Sequence, residues 1–259
     1  MVRQFAAWGL GFSTLLFAAP AAAQQGDRCK DVPSHGELRK ALSAAQAQAN
    51  GGLGFHMWAT VVDRDGIVCA VAFTGQDRGD QWPGSRPVSA QKAHTANAFS
   101  LPKFALSTAN LFAPVQPGGS LYGLQHSAPV NTAAAYDGPA AQYGTPKDPL
   151  TGNSIGGINV FGGGLALYEA GGRLVGALGV SGDTSCADHI IAWKTRHALN
   201  LDNVPAGVAG DAKDNIIHDI TIEAGRSTSK GGYGHPTCSE QSTKIAGELM
   251  KSHPAGPDR

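Results

Sequence analysis

The apolar positions change their period several times along the chain, and each change marks an element. From Phe5 to Phe17 the chain is apolar with only small or hydroxyl residues interposed. Arg3 stands in front, and Pro20 and Ala21-Ala22-Ala23 stand behind. A basic start, a short apolar core and small residues before Gln24 predict a cleaved secretory signal over residues 1–23. The core is too short for a membrane span, which needs roughly 20 apolar residues. After it, Leu38, Ala41, Leu42 and Ala45 recur at helical spacing. Ser34 and Glu37 supply a capping box, and Asn50-Gly51-Gly52 supplies the stop. Met57–Val62 and Ile67–Phe73 read as two strands around Asp63-Arg64-Asp65-Gly66, a hairpin signal.

A helix is expected over Val88–Phe99, with Ala90, Ala93 and Ala96 making one face small enough for close packing. Ser100-Leu101-Pro102 interrupts it, and a second short helix is expected over Lys103–Asn110. From 112 to 157 no period persists and Gly, Pro, Ser, Asn and Tyr dominate, which reads as a long irregular insertion with short turns. Strand character returns in Asn159-Val160-Phe161 and Leu165–Tyr168 around Gly162-Gly163-Gly164, and again in Arg173–Val180. Ser185 and Asp188 read as a capping box for a helix running to about Leu199. A second irregular insertion covers 200–234, and a last helix covers Ser239–Lys251. Hairpin-linked strands with helices before and after them predict an α+β architecture, an antiparallel sheet flanked by helices. Residues 24–259 are read as one domain.

Charge narrows the function. The chain holds 20 basic and 20 acidic residues without a basic stripe, so nucleic-acid binding is not expected. No later segment is long and apolar enough for a membrane span. All 4 cysteines, Cys29, Cys69, Cys186 and Cys238, lie after the signal. Two readings stay open for the last two. Cys186-Ala187-Asp188-His189 and His235-Pro236-Thr237-Cys238 have the spacing of a tetrahedral zinc site. Export to a periplasmic or extracellular space favours instead a Cys186–Cys238 disulfide, which leaves Cys29 to pair with Cys69.

Four segments in order resemble the GlcG/HbpS haem-binding family. They are Trp58–Gly66, Lys92-Ala93-His94-Thr95-Ala96, Gly162-Gly163-Gly164 and Leu174–Gly182. The resemblance implies a profilin-like fold, a homo-oligomer and haem, or a related planar ligand, as cofactor. The chain departs from the family pattern in carrying His94 where arginine is common, and in its two insertions. Haem requires an apolar slot, an axial iron ligand and partners for its propionates. His94 is the candidate iron ligand, Thr95 a neighbouring donor, and Lys92 a partner for a ligand carboxylate or a solvated lysine. His126 is a second candidate ligand. Gly163 and Ser181 are candidates for the lining of the site. Three functions follow: an exported protein of haem transport, storage or redox sensing; a haem-degrading or haem-dependent oxidative enzyme; or a non-catalytic oligomeric interaction module. Gly179-Val180-Ser181-Gly182-Asp183 lacks the second glycine of a hydrolase nucleophile elbow, and no catalytic residue is assigned.

Overall fold

The computed structural model describes residues 28–223 and 226–257, so the expected signal segment at 1–23 lies outside the described residues. The helices are α1 His35–Gln46, α2 Ser85–Ala98, the short α3 Leu124–Ser127 and α4 Thr132–Ala135, α5 Ser185–Ala198 and α6 Glu240–Ser252. The strands are β1 Trp58–Asp63, β2 Val68–Phe73, β3 Gly164–Tyr168, β4 Leu174–Ser181, β5 Ile220–Glu223 and β6 Arg226–Ser229. The first four strands form one antiparallel sheet in the order β2-β1-β4-β3.

Both faces of this sheet are covered, and the alternation of strand side chains sorts the core into two halves. Met57, just before β1, and Ala59 and Val61 of β1 pack with Leu38 and Leu42 of α1 and with Ile190 and Ile191 of α5. Trp58 and Val62 point the other way, onto Ala90, Ala93 and Ala96 of α2. Thr60 shares that second face, where its hydroxyl hydrogen-bonds Ser89 at 2.7 Å. Each fully buried Leu, Ile or Val contributes on the order of 1.5–3 kcal/mol, so these two layers supply most of the driving force.

The capping box at α1 forms as expected: Glu37 N–H donates to Ser34 Oγ, and Ser34 N–H to the Glu37 carboxylate at 2.9 Å. Several other expectations are corrected. α2 starts at Ser85, three residues before the apolar period begins. The helix expected over Lys103–Asn110 does not form. Ala105 instead donates its N–H to Ala206 at 2.8 Å, and only Thr108–Leu111 makes a single 3-10 turn, capped by Ser107. Asn159–Phe161 is not a strand, because its backbone is taken by side chains: Asn159 N–H donates to Thr95 Oγ1 at 3.0 Å, and the Phe161 carbonyl accepts from Thr108 Oγ1. Thr184 rather than Ser185 caps α5, accepting from Ala187 N–H.

The two insertions are ordered by buried ion pairs. Asp148 of the first receives Arg86 of α2, with Arg86 Nε to Oδ2 at 2.9 Å and the guanidinium stacked 3.7 Å from the Tyr143 ring centre. Asp214 of the second receives Arg196 of α5 in a two-point contact of 2.7 and 2.9 Å. The second insertion also contains the β5–β6 hairpin, which its irregular sequence did not announce.

Candidate functional site

His94 is built into a corner where the β1–β2 turn meets α2. Asp63 Oδ1 accepts the N–H of Asp65 at 3.0 Å and of Ile67 at 2.9 Å, which folds the turn on itself. Arg64 then fastens the turn to the end of α2. Its guanidinium donates to the Asn97 side chain at 2.6 Å and to the Ser100 carbonyl at 3.1 Å, while Asn97 Nδ2 donates back to the Arg64 carbonyl. Gly66, at φ +80°, closes the corner over the imidazole. A Cβ at Gly66 would lie 3.3 Å from His94 Nδ1. That nitrogen is buried without a hydrogen-bond partner, whereas the residue as a whole is half-buried. Burial pushes the His94 pKa down, so the ring is neutral at physiological pH, the form in which imidazole ligates a metal.

The other expected site residues do not converge on His94. Thr95 is fully buried, donates to the Gln91 carbonyl at 2.8 Å and accepts from Asn159, so it ties α2 to the strand lead-in. Lys92 is neither solvated nor open to a ligand carboxylate. Its Nζ donates to Asp188 Oδ2 at 2.7 Å and to the Val180 carbonyl at 3.1 Å, and its side chain is 2 % exposed. Gly163 lies against this pair, where a Cβ would stand 3.1 Å from Lys92 Nζ and from Asp188 Cβ. Ser181 is buried at the end of β4 opposite Trp58. His126 is exposed on α3.

The alanine face of α2 is taken by the sheet. A Cβ at Gly179 would fall inside contact distance of the Ser89 carbonyl, and one at Gly164 inside that of Lys92. A flat ligand therefore has no room between α2 and the sheet. His94 points away from this layer, toward the turn. An apolar cleft of about 400 Å³ opens at the other end of α2, lined by Trp58, Pro83, Pro87, Tyr136 and Tyr143, and His94 takes no part in it.

Both expected disulfides are present, Cys29–Cys69 and Cys186–Cys238, with Cα atoms 5.5 and 6.0 Å apart. The four-ligand zinc reading is thereby corrected. His189 is also turned elsewhere, its Nε2 accepting the Ile216 N–H at 3.1 Å. The structure brings a residue that the sequence did not single out, His218, beside His235, with ring centres 6.5 Å apart. His218 follows no recognisable spacing to the cysteines, and only the path of the second insertion places it there. Among the described residues no helix is long and apolar enough to cross a membrane.

None of the curated proteins compared matches the chain. Among solved structures, a PduOC–haem complex is 25% identical at a TM-score of 0.45, covering 64% of this chain and 91% of its own. The Klebsiella pneumoniae protein ORFY, of family DUF336, is 23% identical at 0.44, covering 64% and 89%. A double mutant of Streptomyces reticuli HbpS is 19% identical at 0.42, covering 71% and 98%. The assignment rests on the sequence itself. Residues 34–196, well over half of the chain, match the family described as haem degrading protein HbpS-like, and the protein belongs to that family.

Proposed function

We propose that this protein binds haem, or a closely related planar tetrapyrrole, outside the cytoplasm, and that His94 Nε2 would hold its iron. The observation that carries this reading is the state of the His94 ring. It is neutral, its Nδ1 is sealed beneath Gly66 without a partner, and its Nε2 has no hydrogen bond to any of the described residues. Membership of the HbpS-like family supports haem as the ligand. The donor fits the group, because a neutral imidazole is a common haem ligand. Bound haem would supply an iron centre whose reactivity its axial ligand tunes. The chain's own part is positional. Asp63 and Arg64 fix the turn, Gly66 leaves room for the ring, and the α2 backbone holds His94 against it. Two disulfides and the signal-type segment at 1–23 support export, and the resemblance supports assembly into a homo-oligomer.

Haemin titrated into the mature protein should give a shifted Soret band with a low-spin or high-spin histidine signature. His94→Ala should abolish that signature. His94→Met should bind with a different one. An unchanged spectrum in His94→Ala would remove His94 from the site, and a tetrapyrrole bound in that variant would point to the aromatic cleft near Tyr136. The family description favours a second reading, haem degradation. Adding peroxide or a reductant in air separates the two: bleaching with release of iron and a defined open-chain product supports an enzyme, and persistent colour supports a carrier.

A further inference from the structure

The second insertion creates a cluster that the haem reading does not use. His218 precedes β5, His235 lies just before α6, and Cys186 occupies the first turn of α5. One ligand atom from each lies within 4.8 Å of the other two. His235 is 2% exposed and its Nδ1 is within 2.8 Å of the Pro236 carbonyl. That carbonyl can only accept, so Nδ1 carries the proton and Nε2 presents a lone pair. His235 Nε2 is buried without a partner, as are both nitrogens of His218; the His235 backbone approaches the His218 ring without closing a hydrogen bond. Leaving a buried polar atom unpaired costs about 1–3 kcal/mol, and here three such atoms lie close together. Phe112 packs against the His235 ring, and His218 lines the wall of a cleft of about 750 Å³.

We propose that Cys186, His218 and His235 form a redox-gated site for a borderline divalent cation of the zinc(II) type, shut by the Cys186–Cys238 disulfide and opened by a dithiol reductant. A disulfide sulfur is a poor donor, whereas a thiolate with two imidazoles is a zinc donor set that leaves a fourth position for water or Cys238. Cys238 is exposed and Cys186 is fully buried, so Cys238 presents the sulfur open to attack. A reductant thiolate attacks Cys238 Sγ. The S–S bond breaks, and Cys186 leaves as a thiolate stabilised by the N-terminus of α5. The second thiol of the reductant then displaces Cys238 and closes the reductant's own disulfide. Two electrons pass from the dithiol to the protein; of its two protons, one ends on Cys238 and one goes to solvent, while Cys186 stays ionised on the cation. Tetrahedral zinc brings its ligand atoms to roughly 3.5 Å from one another, a closure that side-chain rotation can supply.

The test uses cobalt(II) as the probe on the mature protein, before and after treatment with a phosphine reductant. The reduced protein should bind one equivalent with a thiolate-to-cobalt charge-transfer band and tetrahedral d–d bands, and the oxidised protein should show neither. His218→Ala and His235→Ala should each weaken binding by roughly tenfold or more. The Cys29→Ser/Cys69→Ser double variant should keep the site, which excludes the other cysteine pair as its source. Cys238→Ser frees the Cys186 thiol without any reductant and should bind cobalt directly, with far-UV circular dichroism reporting the fold. Equal binding by the oxidised protein overturns the gating. Absence of the charge-transfer band in both the reduced protein and Cys238→Ser, or a band indifferent to His218→Ala and His235→Ala, overturns the site; so does loss of the fold in both thiol forms.

Discussion

Lys92 of α2 and Asp188 of α5 meet at 2.7 Å past the end of β4, joining the helices that cover opposite faces of the sheet. Asp188 spends its other oxygen on the Asp183 N–H at 2.9 Å, and Lys92 its second bond on the Val180 carbonyl. Gly163 permits the meeting, since its own carbonyl accepts the Val180 N–H at 2.9 Å and a side chain there would strike the pair.

Breaking this pair from one side should be severe. Lys92→Met leaves a carboxylate buried with its main partner gone, a loss of about 3–5 kcal/mol. Lys92→Met combined with Asp188→Leu should recover much of that loss, because no charge is then stranded. Urea unfolding of the two singles and the double closes the cycle; a double as unstable as the sum of the singles would contradict it.

Arg86 and Asp148 should control the first insertion alone. Asp148 gathers Arg86 together with the N–H groups of Gly144 and Leu150, at 2.6 and 2.8 Å. Arg86→Ala should expose residues 112–157 to limited proteolysis at a temperature where α1 and the sheet remain folded. Cleavage spread evenly along the chain would show that the insertion and the core unfold together.

Two glycines should respond in opposite directions to the same substitution. Gly179→Ala forces a methyl group into the Ser89 carbonyl and must push α2 off the sheet, whereas Gly247 in α6 has open space around its Cβ position. Gly247→Ala should stabilise by roughly 0.5–1 kcal/mol through helix propensity, and Gly179→Ala should lower the melting temperature. Thermal unfolding of both variants is sufficient to compare them.

Acid should weaken the fold well above the ordinary carboxylate range. Burial is the main cause that holds His189 down to about 3 and His235 down to about 4, with the positive charge of Arg196 adding to the first. The unfolded chain therefore takes up protons first as pH falls. The stabilisation is complete above about pH 6.5 and is lost progressively toward pH 4. Asp188 opposes part of this: burial raises it to about 6 against the pull of Lys92, so its contribution is full below pH 3.8 and disappears as pH rises through 6. The net expectation is a loss on the order of 1–3 kcal/mol between pH 7 and pH 5. His235→Asn should flatten the slope of the urea midpoint against pH, and a midpoint that climbs on acidification would contradict the assignment.

Periodic and local features were legible in the sequence. The Ser34–Glu37 box, the β1–β2 hairpin, the helical spacing of α1, α5 and α6, and the α+β class all rest on contacts a few residues apart, where side-chain type decides the backbone. The even cysteine count, together with the export expected from the signal-type segment, pointed to both disulfides for a chemical reason. The failures share a cause as well. Lys103–Asn110 had helical composition, yet the carbonyl of Ala206 claims the Ala105 N–H. Asn159–Phe161 had strand composition, yet Thr95 and Thr108 occupy its backbone.

For the candidate site the division is sharper. His94 could be named from its motif, but not the sealed Nδ1 that leaves Nε2 as its remaining donor, because Gly66 covers it from another element, on a turn that Arg64 fastens to α2. Lys92 belongs to the same motif and turned out to be an internal ion-pair partner. The sequence by itself determined α1, the β1–β2 hairpin, the last two long helices, the class and the family, since these depend on residue type and short spacing. Only the tertiary structure decided which face of α2 is closed, which charges are paired, and that His218 stands beside His235. Those relationships join residues far apart in the chain, and burial makes each partner answer for the other's charge or lone pair.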